Sequence, residues 1–292
     1  MRRLIVNADD FGLTPGVNEA AVELNRARAL TSATLMATGG AFDEAVSAAK
    51  ILPLLGVGCH VVLVDGTPVL PADKIPSLID PIDPIDLSAP VAPKAARFRP
   101  KLTSFVADLL RGRIKDSEIE AAAIAQIRKL KEAGIAVTHL DTHKHTHMFP
   151  RVLRPLLRAA LACGVKAIRN PFEPDWSLKA TANAGHVRKM QVRLLRSQRA
   201  TFMQEVARAG LATTDGAIGV LATGTLDAQT IRNLLAAMPD GTWELVCHPG
   251  YNDAALQQER TRLLASREVE RTALLETIPS ADLDRIHFGQ LS

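Results

Sequence analysis

Aromatic residues are scarce, at 4% of 292 residues with one Tyr and two Trp. So thin a set offers no platform on which bases could stack. An excess of one charge is lacking as well, since 35 Lys and Arg face 31 Asp and Glu for a formal net charge of +4. That excess is too small to mark a nucleic-acid surface, and no nucleic-acid partner is expected. Cysteines number three, Cys59, Cys163 and Cys247, each far from the others in an apolar stretch. An odd, dispersed set reads as buried thiols in a reducing compartment, not as a disulfide framework. No apolar run reaches the ~18 residues a membrane span needs. The opening MRRLIVNADD has no apolar signal core and no small-residue cleavage site, so the default expectation is a soluble, cytoplasmic protein. Phosphate-loop and dinucleotide glycine patterns are missing, and Gly219-Val-Leu-Ala-Thr-Gly-Thr is too loose to stand for one. No G-x-S-x-G elbow exists for serine catalysis.

What remains is an ordinary globular composition, 47% hydrophobic and 23% charged, which excludes disorder and collagen-like repeats. Short β-rich runs alternate with helical patterns. The predicted strands are 3–10, 32–38, 56–64, 136–143, 165–171, 217–223 and 242–250, with 284–289 as an eighth candidate. The run at 56–64 is apolar at nearly every position, as a strand of a doubly covered parallel sheet should be. Helical patterns fall between them, notably 118–134, which stops at Gly134. Two domains of ~150 residues would account for the length, but single α/β barrels commonly reach ~250. With no composition break, the chain reads as one α/β domain over 1–292, a TIM-barrel-like (β/α) barrel.

Two segments interrupt the rhythm. Residues 65–100 are Pro-rich and aperiodic, and follow directly from the strand carrying His60. They are expected to lie over the barrel mouth, since long loops inside compact domains are usually functional. Residues 178–210 form a basic helical insertion. Within it, HVRKMQVRLLRSQR (186–199) sets five cations among Met190, Val192, Leu194 and Leu195. Such a helix suits peripheral contact with an anionic membrane surface. Its apolar face could equally pack on the barrel or on a second subunit in a homodimer.

Chemistry-bearing residues collect where strands end. His139, Asp141, His143, His145 and His147 lie at alternate positions. Along an extended strand such positions share a face. Several imidazoles beside a carboxylate are costly to bury without a metal or a hydrogen-bond network. Asn7-Ala-Asp9-Asp10-Phe11-Gly12 places two adjacent carboxylates after an apolar strand. They repel unless a cation or proton separates their roles, although one could simply cap the next helix. His60, inside an apolar strand, needs a partner, either a metal or a core amide or carbonyl. His248, in Cys247-His248-Pro249-Gly250, again sits where a strand yields to a loop. Only a barrel gathers four such strand ends at one place.

NADDFG, G-x-H at His60, THLDTHKHTHMFP at 138–150 and CHPG at 247–250, in that order, resemble the YdjC-like carbohydrate deacetylases, relatives of chitooligosaccharide deacetylase. The resemblance implies a distorted (β/α) barrel with about seven parallel strands that removes N-acetyl groups from amino sugars with one divalent metal. It implies Asp10, His60 and His143 as the metal ligands, Asp9 as general base and His248 as general acid. Asp141, His145, His147 and Arg169 are expected as substrate contacts. Two imidazoles and a carboxylate suit Zn²⁺, with Mn²⁺, Co²⁺ or Mg²⁺ as substitutes and Mg²⁺ the least suited to nitrogen. Lys144 departs from relatives that carry a further His there. Val62-Leu-Val-Asp-Gly-Thr-Pro-Val-Leu-Pro and the Pro-rich segment resemble the branch associated with hopanoid biosynthesis. That branch implies an N-acetylglucosamine-type sugar on a hopanoid lipid, reached at the inner membrane surface. Soluble chitooligosaccharides are the alternative substrate. A two-metal phosphoesterase and a non-catalytic hopanoid-binding protein are the rivals from other classes.

Overall fold

A computed structural model describes residues 1–80, 96–181, 190, 192 and 196–291. Its strands are β1 (Arg2–Phe11), β2 (Ser32–Leu35), β3 (Gly56–Val61), β4 (Leu140–Thr142), β5 (Gly216–Ile218), β6 (Gly241–Cys247) and β7 (Asp284–Arg285). They form one sheet in the order β4-β3-β2-β1-β6-β5, with β7 on β1, and every pairing is parallel. Two isolated parallel bridges, Leu140↔Ile168 and Ala167↔Ala212, carry the pairing from β4 round toward β5. The result is a distorted (β/α) barrel of about seven strands, as the alternating pattern predicts.

The predicted strand at 165–171 contributes only those bridges. Arg169, Asn170 and Glu173 use their side chains there, and the backbone leaves the ladder to position them. The insertion at 178–210 is described chiefly at its ends, by helices Asp175–Ala180 and Arg199–Ala209. Most of 186–199 lies outside the described residues, as do 81–95 of the Pro-rich segment.

Local chemistry explains the helix limits. Thr14 caps the helix Pro15–Arg26 by accepting from the Val17 amide, and Pro15 needs no amide partner in the first turn. The helix Asp116–Glu132 carries Asp116 and Glu118 in its first turn and Lys129 and Lys131 in its last, complementing the helix dipole. It ends before Gly134, whose φ of +88° suits glycine. The apolar faces of these helices cover the strands, and Leu4, Val6, Leu35, Cys59, Leu140 and Leu245 are fully buried. All three cysteines are buried free thiols. Among the described residues no helix is long and apolar enough to cross a membrane.

Candidate active site

The C-terminal strand ends open onto a cavity of about 760 Å³. Asp9, Asp10, His60, His143, His145 and His248 all line it. Consecutive strand residues normally face opposite ways. Asp9 and Asp10 escape that rule because the β1–β2 register shifts between Ala8 and Phe11, and Asp10 takes φ +65°. Such a bulge re-aims side chains, and it brings both carboxylates into the mouth. Of the five described non-glycine residues with positive φ, four (Asp10, Asp65, Lys144 and His145) line this cavity. Backbone strain of this kind costs about 1–3 kcal/mol per residue and gathers where function demands geometry.

His60 faces Asp141 directly across the β3–β4 pairing, and its Nδ1 lies 2.8 Å from Asp141 Oδ1. Its other nitrogen points to Asp10 and His143. Asp10 Oδ1 is 3.5 Å from His60 Nε2 and 3.5 Å from His143 Nδ1, and the two nitrogens are 3.3 Å apart. A tetrahedral ion with bonds of ~2.1 Å spaces its donors about 3.4 Å apart. The three atoms therefore match one face of such a tetrahedron. Asp10 Oδ1 is buried without a hydrogen-bond partner, while Oδ2 accepts from Arg267 at 2.6 Å. An orphaned carboxylate oxygen facing two ring nitrogens fits a divalent cation, and the nitrogen-rich donor set favours a transition metal over Mg²⁺.

Asp9 stands beside this triangle. Its Oδ1 accepts from Asn7 Nδ2 at 3.0 Å and Arg169 NH2 at 2.6 Å, and its Oδ2 accepts from Arg169 NH1 at 2.9 Å. His248 Nε2 lies 3.8 Å from Asp9 Oδ2. The His248 amide donates to Glu270 Oε2 at 2.6 Å, and that carboxylate reaches within 4.0 Å of its Nδ1.

Burial opposes charge on both aspartates, but the surrounding cations prevail. Arg169, His60 and His248 hold Asp9 well below the usual carboxylate range, and Arg267, His143 and His60 do the same for Asp10. His60 also resists desolvation. The charges and hydrogen bond of Asp141, with Asp9 and Asp10, push it up to about 9. Burial raises Glu244 to about 7 despite its contact with Arg169.

The structure places three of the expected substrate contacts in the protein interior. Asp141, His147 and Arg169 are each 0% exposed, lie beneath the cavity and do not line it. Arg169 is bound by Asp9, Asp141 and Glu244. His147 Nδ1 pairs with Thr142 Oγ1 at 2.7 Å. His145 does line the cavity, with a buried and unpartnered Nδ1. His139, on the same sequence stripe, is stacked on Phe288 at 3.8 Å and takes no part in the donor triangle. From the Pro-rich segment, Asp65 and Arg97 line the cavity.

Glu244, Arg267 and Glu270 are site residues that sequence reasoning missed. Glu244 carried a usable signal, an acid inside the apolar strand Gly241–Cys247, like His60 in its own strand. Arg267 and Glu270 sit among many surface charges on the helix Ala265–Thr277, where nothing local marks them.

The YdjC-like protein family profile matches residues 3–285. A carbohydrate deacetylase of Brevibacillus brevis is 39% identical over 158 residues, 54% of this chain and 55% of that protein. The match thus spans about half the length of that relative. A carbohydrate deacetylase of Thermoanaerobacter pseudethanolicus is 26% identical over 276 residues, covering 94% of this chain and 92% of that one. The crystal structure of a putative cellobiose-phosphate cleavage protein from Enterococcus faecalis superimposes with a TM-score of 0.74 at 23% identity, over 98% of this chain and 97% of that one. At that identity the likeness speaks for the fold alone.

Proposed function

This chain belongs to the YdjC-like family, and from that premise we propose that it is a metal-dependent carbohydrate deacetylase. The observation that carries this reading is the Asp10–His60–His143 donor triangle, with Asp9 and His248 side by side on the same cavity wall. A divalent ion held by Asp10, His60 and His143 would supply Lewis acidity toward an amide carbonyl. Asp9, ionised and gripped by Arg169, accepts a proton from the water that attacks the acetyl carbon. His248 gives its proton to the departing nitrogen, because an amide nitrogen leaves poorly as an anion. Breaking the C–N bond yields acetate and a free amine. Glu270 faces the opposite ring nitrogen of His248, with Oε2 4.0 Å from Nδ1. This division of labour needs one metal, whereas two-metal phosphoesterases carry bridging carboxylates.

Zinc is the metal we expect, on the donor chemistry and the tetrahedral spacing. The finer substrate reading is an N-acetylglucosamine-type sugar borne on a hopanoid lipid, supported by the resemblance of 62–71 and the Pro-rich segment to the hopanoid-associated branch. Peripheral membrane contact through 186–199 belongs to that reading. A soluble chitooligosaccharide draws equally on the same site. The deciding experiment incubates purified, zinc-loaded protein with an N-acetylated hopanoid glycoside in anionic liposomes and with chitobiose, measuring acetate by mass. Acetate from either substrate, lost in His143→Ala together with bound zinc, supports the deacetylase. Full metal content in His143→Ala, or no acetate from any amino sugar, overturns it.

A further inference from the structure

Beneath the donor triangle lies a second group of ligand-type atoms. Asp9, His60 and Asp141 also bring one oxygen or nitrogen each within 4.8 Å of one another. His60 belongs to both groups, with Nε2 turned to the first and Nδ1 to the second. The second group already has a cation. The Arg169 guanidinium forks onto both oxygens of Asp9 at 2.9 and 2.6 Å, and its NH1 also binds Asp141 Oδ2. Its Nε and NH2 lie 2.8 and 2.7 Å from Glu244 Oε1. Arg169 is fully buried, and a guanidinium keeps its proton in any protein environment, so this positive charge is permanent.

We propose that Arg169 is a positioning residue that stands in for a second metal ion, keeping the centre mononuclear and holding Asp9 out of the ligand set. Geometry supports this. Asp9 is the chain neighbour of a metal ligand, yet the planar fork occupies both of its oxygens and orients Oδ2 toward His248. An ammonium from Lys could supply the charge there but not the bidentate grip.

The inference rests on the metal-dependent reading only in requiring that the first triangle hold an ion. Its test counts zinc on chelator-stripped protein reloaded with Zn²⁺ alone and desalted. Wild type should retain one equivalent. Arg169→Met should retain two, and adding Asp9→Asn to it should return the count to one, which separates a built site from surface binding. One equivalent on Arg169→Met with wild-type kcat overturns the proposal, as does a second equivalent that survives Asp9→Asn. No zinc on wild type overturns the metal reading itself and this inference with it. Should Arg169→Met fail to fold, Arg169→Lys decides. It should hold one zinc and lose at least about tenfold in kcat with KM near wild type, the pattern of a group acting only as the transition state forms. Wild-type kcat in Arg169→Lys refutes the positioning role.

Discussion

Asp141 Oδ1 sits 2.8 Å from His60 Nδ1, directly across the β3–β4 pairing, so the carboxylate decides which way the imidazole presents itself. With the proton held on Nδ1, the Nε2 lone pair faces Asp10 and His143. Carboxylates in this position raise ligand basicity and fix ring orientation, and removing one typically costs ~10–100-fold in metal affinity. Asp141→Ala should weaken zinc binding by about that factor. Competition against a chromogenic chelator measures it. Wild-type affinity would mean that the contact does not orient His60 for metal.

Asp9→Asn and His248→Ala should separate chemistry from binding. Both side chains line the cavity outside the donor triangle, so each variant should hold metal like the wild type. Each should lose about 10²–10⁴ in rate, the usual contribution of a general acid or base. His248→Ala should lose less on an activated acetyl ester, whose leaving group needs no proton. Activity that falls only in step with lost metal would remove both roles.

Gly58 precedes His60 by two residues on β3, and therefore shares its face one step deeper in the barrel. A Cβ at Gly58 would stand 2.4 Å from Cε1 of His139, whose ring is buried and stacked on Phe288. Neither ring can retreat. Gly58→Ala should cost about 1–3 kcal/mol, the range for overpacked cores. Trimming His139 to Ala in that background should recover part of it. Urea midpoints compare the three proteins, and an unshifted midpoint in Gly58→Ala would contradict the packing.

His139 also bears on acid stability. Burial, reinforced by the charge of Arg169, holds its ring well below the ordinary histidine range, so it stays neutral in the fold. The unfolded chain takes up that proton below about pH 6.5. Stability from this group is therefore complete above pH 6.5 and drains away as pH falls toward the folded value. One such histidine contributes a slope of ~1.4 kcal/mol per pH unit. His139→Gln should flatten the fall in stability between pH 6.5 and 5 by about that amount. Parallel curves for variant and wild type would show that His139 is not the titrating group.

Strand–helix alternation was legible in the sequence because period-two and helical patterns are local properties, and they imply a parallel barrel. Asp9, Asp10, His60, His143 and His248 were legible for a related reason. Each sits in or at the end of an apolar strand, where a polar side chain must find a partner, and a barrel gathers strand ends on one face. Tertiary structure decided the rest. The register shift after Ala8, with φ +65° at Asp10, turns two adjacent carboxylates the same way, against the alternation any strand pattern implies. Arg169 reads in sequence like a side chain free to meet a sugar, yet three carboxylates from separate strands bury it. Arg267 reaches Asp10 from a helix 257 residues away along the chain. Such contacts leave no periodic trace, because long-range charge pairing depends on where the closed barrel sets the two groups and not on the residues beside either of them.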